Sequence, residues 1–184
     1  MRFRSMVGRC GRDETAFTVV ELLVVMSIIL VLAGLILATS SYVHNKGARS
    51  RAEAEIAAMS AALENYKADN GVYPVDTSVD PKTTPDPASY APGSLALYKA
   101  LSGDADNDGN RSAESTAYMS FKPNQLYPPV TTNSVTYIKD PFGYSYGYST
   151  IGQAGTTGFN PTFDLWSTAG GTSSADVAKW IKNW

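Results

Sequence analysis

The 184-residue sequence predicts an α+β fold in which one long N-terminal helix packs on a small antiparallel sheet. Two observations carry that prediction. An apolar run over 17–38 passes without a break into an amphipathic stretch that ends at Asn70-Gly71. Everything beyond Pro74 is punctuated by proline, glycine and short alternating segments, the pattern of strands and turns. About 115 residues follow the predicted helix, enough for one small domain with a modest core.

The apolar run FTVVELLVVMSIILVLAGLILA holds 22 residues, with Glu21 its one ionisable side chain. About 20 such residues make a helix of roughly 30 Å, the thickness of a bilayer core. A carboxylate inside it costs on the order of 2.5–3.5 kcal/mol on insertion scales, so it needs a partner or a purpose. Residues 1–16 carry four arginines, Asp13 and Glu14. Two readings follow. In one, the run is a signal anchor that keeps its basic flank in the cytoplasm. In the other, the chain is cut between Ala16 and Phe17, and Glu21 then lies one helical turn from a free amino group, placed for an ion pair with a neighbouring copy. A secretory signal peptide fits less well, because the apolar segment is too long and no small-x-small site follows it.

Beyond Ser41, Ile56, Met59, Leu63 and Tyr66 keep helical spacing while Glu53, Glu55, Glu64 and Lys67 take other faces. Alanine is abundant, no proline precedes Pro74, and Gly71 offers a left-handed cap. One helix over 17–70, about 80 Å long at 1.5 Å per residue, is expected. Residues 75–93, with four prolines and several Ser, Thr and Asp, read as an exposed loop. Ser94 is positioned to cap a short helix over 95–102. Strands are expected at 117–121, 134–138 and 161–167. Phe142, Tyr144, Tyr146 and Tyr148 alternate with Gly and Ser, which places four rings on one strand face. That face reads as core against the helix, with a sugar-binding platform as the other reading.

Chemistry-bearing motifs are few. In Gly103–Ser115, Asp104, Asp106 and Asp108 stand at positions one, three and five of a loop with Gly109 at six, the opening of an EF-hand-type calcium loop. Asn110 would add a backbone carbonyl, and Ser112 a hydroxyl or a water. Position twelve is Ser115, with Glu114 one place early, so a solvated acidic turn is the competing reading. Cys10 is the one cysteine, which excludes a disulfide framework. Loss of 1–16 would remove four of 15 basic and two of 17 acidic residues, leaving 11 against 15 and a net charge near −4. That balance, with no basic cluster, argues against nucleic acid as a partner. The one histidine, His44, has no nucleophile or carboxylate pair beside it in sequence, so the chain reads as no enzyme.

The stretch Thr15-Ala16-Phe17-Thr18-Val19-Val20-Glu21-Leu22-Leu23 resembles the leader junction of type IV pilins and type II secretion pseudopilins, with Ala16 where that family prefers glycine. Ala62–Pro74 (ALENYKADNGVYP), Asp140–Tyr146 (DPFGYSY) and Phe163–Ser167 (FDLWS) are similar to stretches of the major pseudopilin of type II secretion. The resemblance implies a pilin-like fold. It divides the chain into a leader (1–16), a transmembrane or filament-core helix (17–40) and a globular domain (41–184) that includes the amphipathic half-helix 41–70. It implies cleavage after Ala16 and N-methylation of Phe17 by a prepilin peptidase, with Glu21 used in assembly. The expected partners are further copies in a helical homopolymer, minor pseudopilins and an inner-membrane assembly platform. The expected location is the inner membrane, single-pass, with the C-terminal domain in the periplasm and then in the pseudopilus. No cofactor is required. The family's C-terminal loop holds calcium, and Asp176 could match one of its aspartates, but Gly170-Gly171 replaces the usual Asp-Gly pair. The rival functions are a type IV pilin for adhesion, motility or DNA uptake, and an anchored binding module that never polymerises.

Overall fold

The computed structural model describes residues 17–129, 134–155 and 157–184. These divide into two compact units, the first ending at Val43 and the second comprising His44–Trp184. The fold is α+β. Helix α1 (Val19–Asn70) is followed by α2 (Ala91–Ser102) and five short strands: β1 (Leu126–Tyr127), β2 (Tyr137–Ile138), β3 (Gly147–Ser149), β4 (Asp164–Ser167) and β5 (Ile181–Lys182). Strands β1 and β2 form an antiparallel pair, and β3-β4-β5 form a separate antiparallel sheet, so the expected single sheet is two small ones.

In the first unit, α1 exposes apolar side chains on all sides, Val19, Leu23, Met26 and Leu30 among them. It is long and apolar enough to cross a membrane. In the second unit the same helix buries a single stripe. Ala52, Ile56, Met59 and Leu63, spaced by three and four residues, enter the main core, and Tyr66 packs edge-on to Tyr118 at 5.3 Å between ring centroids. The helix stops where expected: Gly71 is left-handed (φ 79°) and its N–H donates to the Lys67 carbonyl at 2.7 Å.

Against that stripe lie α2, through Leu97 and Leu101, and the larger sheet, through Tyr146, Tyr148 and Leu165. Helix α2 begins four residues before the expected start. Pro92, with its fixed φ, sits in its first turn, and Ser94 is buried inside it, where its hydroxyl accepts the Ile138 N–H at 2.9 Å instead of capping. Gly93 is what lets the helix approach so closely, since a Cβ there would lie 2.4 Å from the Tyr148 carbonyl oxygen.

Strands β3 and β4 are buried on both faces. Leu165 faces the main core, while Trp166 turns to a second cluster with Val79, Tyr90 and Trp180. The segment 75–93 forms much of that second cover, so it is not the exposed loop its composition suggests. Side chains of Asp76, Asp80 and Asp86 accept the N–H groups of Ser78, Lys82 and Ala88 at 2.9–3.0 Å, and these local turns deliver Val79 and Tyr90 inward. The aromatic row is split for a related reason. The turn at Pro141-Phe142-Gly143 (Gly143 φ 95°) takes Phe142 and Tyr144 out of the strand, while Tyr146 and Tyr148 are fully buried, which excludes a sugar platform. Residues 117–121 form no strand. They cross the end of α2, with the Tyr118 and Met119 N–H groups both donating to the Leu101 carbonyl. Of 134–138, only Tyr137–Ile138 is strand.

Glu55 joins helix to sheet. Its carboxylate accepts the Tyr146 hydroxyl at 2.7 Å, the Gln125 amide at 3.0 Å and the Arg51 guanidinium at 3.0 Å. Burial, and then the Glu55 charge, push the Tyr146 phenol well above its ordinary value. Glu55→Ala leaves that buried hydroxyl without an acceptor and is expected to cost about 1–3 kcal/mol in urea unfolding, with Glu55→Gln costing less. At Gly147 a Cβ would lie 2.1 Å from the Trp166 ring. Gly147→Ala is therefore expected to destabilise by about 1–3 kcal/mol and to shift the tryptophan emission of the folded protein, whereas an unchanged spectrum and midpoint would contradict the packing described.

Candidate functional site

Two places gather the residues singled out in the sequence. The first is the start of α1. Thr18 is its N-cap and Glu21 its third residue, and the two side chains bond reciprocally. The Glu21 N–H donates to Thr18 Oγ1 at 3.2 Å, while the Thr18 N–H (3.0 Å) and hydroxyl (2.8 Å) both donate to Glu21 Oε2. This is a capping box, and the signal for it, Thr-x-x-Glu ahead of an apolar run, stands in the sequence at 18–21. Glu21 therefore has a partner within its own chain, and both bonds fall on one oxygen. Phe17 is exposed beside it. Ala16 and the rest of residues 1–16, Cys10 among them, lie outside the described residues.

The second place is the loop after α2. Gly103 ends the helix in the left-handed region (φ 71°), and its carbonyl accepts the Ser112 N–H at 3.0 Å and the Ser115 hydroxyl, which closes residues 103–115 into a ring. Within it, one ligand oxygen each from Asp104, Asp106 and Asp108 lies within 4.8 Å of the others. Asp104 is 1% exposed and the other two are exposed. Its Oδ2 accepts the buried Tyr98 hydroxyl and the Gly109 N–H, both at 2.8 Å, and its Oδ1 is buried with no hydrogen-bond partner. Burial raises the Asp104 carboxyl, but the donors on it, Tyr98 first, outweigh that and hold it below the ordinary aspartate value. Asn110 donates its N–H to Asp108 at 2.7 Å, and Ser112 Oγ accepts from Ala105 N–H at 3.3 Å.

Asp176 stands apart from this cluster. Its carboxylate is taken by the Ser173 hydroxyl at 2.7 Å and the Lys179 ammonium at 3.0 Å, which together hold it below the ordinary value. Gly170, which stands where the resemblance puts an aspartate, takes the left-handed conformation (φ 87°), and Gly171 after it packs on Asp176, where a Cβ would lie 2.4 Å from the Asp176 Cβ. Among the described residues, Asp104, Asp106 and Asp108 are the group of three acidic side chains whose ligand oxygens lie within 4.8 Å of one another, and Asp176 is not part of it.

A helix that begins with a capped glutamate in an apolar face and ends under a small sheet defines a pilin-like α+β architecture. The chain is similar to three curated proteins, each named type II secretion system core protein G. The one from Vibrio cholerae serotype O1 is 33% identical over 87 residues, covering 45% of this chain and 60% of that protein. The one from Aeromonas hydrophila is 34% identical over 88 residues (45% and 62%), and that from Pectobacterium carotovorum is 32% identical over 89 residues (45% and 57%). The chain thus spans about three fifths of the length of these relatives. No family model and no solved structure matches.

Removal of the cap is directly testable. Thr18→Ala deletes one donor and one acceptor of the box and is expected to cost about 0.5–2 kcal/mol, read as faster amide exchange at Val20–Leu22 in detergent, with Thr18→Ser close to unchanged.

Proposed function

We propose that this chain is a structural subunit of a type II secretion pseudopilus and has no catalytic role of its own. The observation that carries the reading is the junction at 17–21, where an apolar helix with exposed side chains on every face begins at a capped glutamate, in a chain similar to three type II secretion core G proteins. That similarity favours the pseudopilus over an adhesive or motility pilus.

In this reading a prepilin peptidase cuts after Ala16 and methylates Phe17, and the helix waits in the inner membrane with the C-terminal domain in the periplasm. An assembly platform and minor pseudopilins then recruit copies into a helical polymer. Apolar burial between neighbouring helices drives the packing. Glu21 sets the axial register by pairing with the Phe17 amino group of the next copy, for which its Oε1 is available beside the capped Oε2. Polymer growth moves folded cargo outward.

Mass spectrometry of the membrane-extracted protein, from cells with and without an active prepilin peptidase, tests this. The expected chain begins at methylated Phe17, and only when the peptidase is active. A chain that still begins at Met1 in both samples makes the protein a signal-anchored module and removes the polymer.

A further inference from the structure

The loop at 103–115 has no part in the assembly reading, yet it carries the strongest unsatisfied chemistry in the domain. Asp104 is buried, and a buried carboxylate oxygen without a partner costs on the order of 1–3 kcal/mol or more. The oxygen left over is Oδ1, while Oδ2 is pinned by Tyr98 and by the N–H of Gly109, so the group cannot turn to satisfy both. Two further carboxylates, Asp106 and Asp108, come within 4.8 Å of this one. No basic side chain neutralises the three: the ion pairs among the described residues are Arg51–Glu55 and Lys179–Asp176. Three carboxylates thus converge in one loop, and one of them carries a buried oxygen that lacks a donor.

We propose that this loop is a binding site for one calcium ion, held by Asp104, Asp106 and Asp108 with the backbone carbonyl of Asn110. Size and charge support the assignment. Calcium binds oxygen at about 2.3–2.6 Å, so its ligands lie up to roughly 5 Å apart, and the three carboxylates meet that limit. The donors are all oxygen, which suits a hard cation and not zinc or copper. Asn107 and Gly109 take the left-handed conformations (φ 57° and 94°) that fold the chain around the point of convergence. The ion serves structure. The loop is tied to the core through Tyr98 and through a reciprocal pair with Val135, where Val135 N–H donates to the Asn107 carbonyl at 2.7 Å and Asn107 Nδ2 donates to the Val135 carbonyl at 2.8 Å. Filling the site fixes the end of α2 and the buried Val135 together.

The test uses the full chain in detergent, stripped with a chelator and titrated with calcium chloride or magnesium chloride. All three tryptophans, 166, 180 and 184, lie in the second unit, so their emission on heating reports that unit alone. With a dissociation constant in the range of extracellular calcium modules, about 10⁻⁴–10⁻³ M, some 10 mM calcium is expected to raise the midpoint by about 4–10 °C, and magnesium by clearly less. Asp106→Asn/Asp108→Asn alters only exposed side chains, so it folds, and it is expected to lose the rise, while Asp176→Asn keeps it. Terbium at the site is expected to luminesce through Tyr98, and calcium is expected to quench that signal by displacement. No rise with calcium in the unaltered chain overturns the site, as does a rise that survives in the double variant. An equal response to magnesium overturns the assignment to calcium. None of these outcomes depends on how the leader is processed.

Discussion

One helix has to satisfy two different surroundings, and the domain is organised around that demand. Up to Leu37, α1 presents apolar side chains all round, while from Ala52 it presents one stripe and turns charge to the other faces. An isolated helix gains little from propensity alone, so the second half depends on what covers its stripe. Ala52 and Ala62 are small enough for close approach, and α2 and the larger sheet meet the helix there through Leu97, Leu101, Tyr146 and Leu165. Glu55 ties the helix to what covers it with two hydrogen bonds, from Tyr146 and Gln125, that purely apolar packing could not specify.

Carboxylates do an unusual share of the architectural work. With strands of two to four residues, few backbone groups can pair in ladders, and aspartates take their place. Asp140 accepts the N–H groups of Phe142 and Tyr144 and the Ser167 hydroxyl, which joins the turn before β3 to the end of β4. Asp164 gathers the N–H groups of Phe159 and Asn160, both at 2.8 Å. Burial raises the carboxyls of Asp140 and Asp164 above the ordinary range despite these donors. In the covering segment Asp76, Asp80 and Asp86 likewise accept backbone N–H groups, at positions with more exposure.

The long helix, its glycine stop and its buried stripe were legible in the sequence, because periodicity and alanine content act over many residues at once. So was the placement of Tyr146 and Tyr148 in the core. The start of α2 was not, because Ser94 has the chemistry of a cap and only the tertiary position of Ile138 shows that its hydroxyl is needed elsewhere. The segment 75–93 differs from its composition for a similar reason: polar residues signal exposure, whereas Asp side-chain turns carry Val79 and Tyr90 to the back of the sheet. At the functional positions, isolation in an apolar run marks Glu21, whereas its partner Thr18 shows only as the first residue of a Thr-x-x-Glu pattern. The three aspartates were found by spacing. That one of them would be buried with a spare oxygen could not be read from spacing, because it follows from the Tyr98 and Gly109 bonds.

The brevity of the strands has a consequence for how such a molecule can associate. A long, flat sheet margin offers unpaired N–H and C=O groups as a template for a strand of another copy, a common route to misassembly. Here β5 pairs through two residues and β1 and β2 through two each. The folded domain thus exposes little ladder for a second chain to extend, so its sheet margins give a neighbouring copy no template for cross-linking.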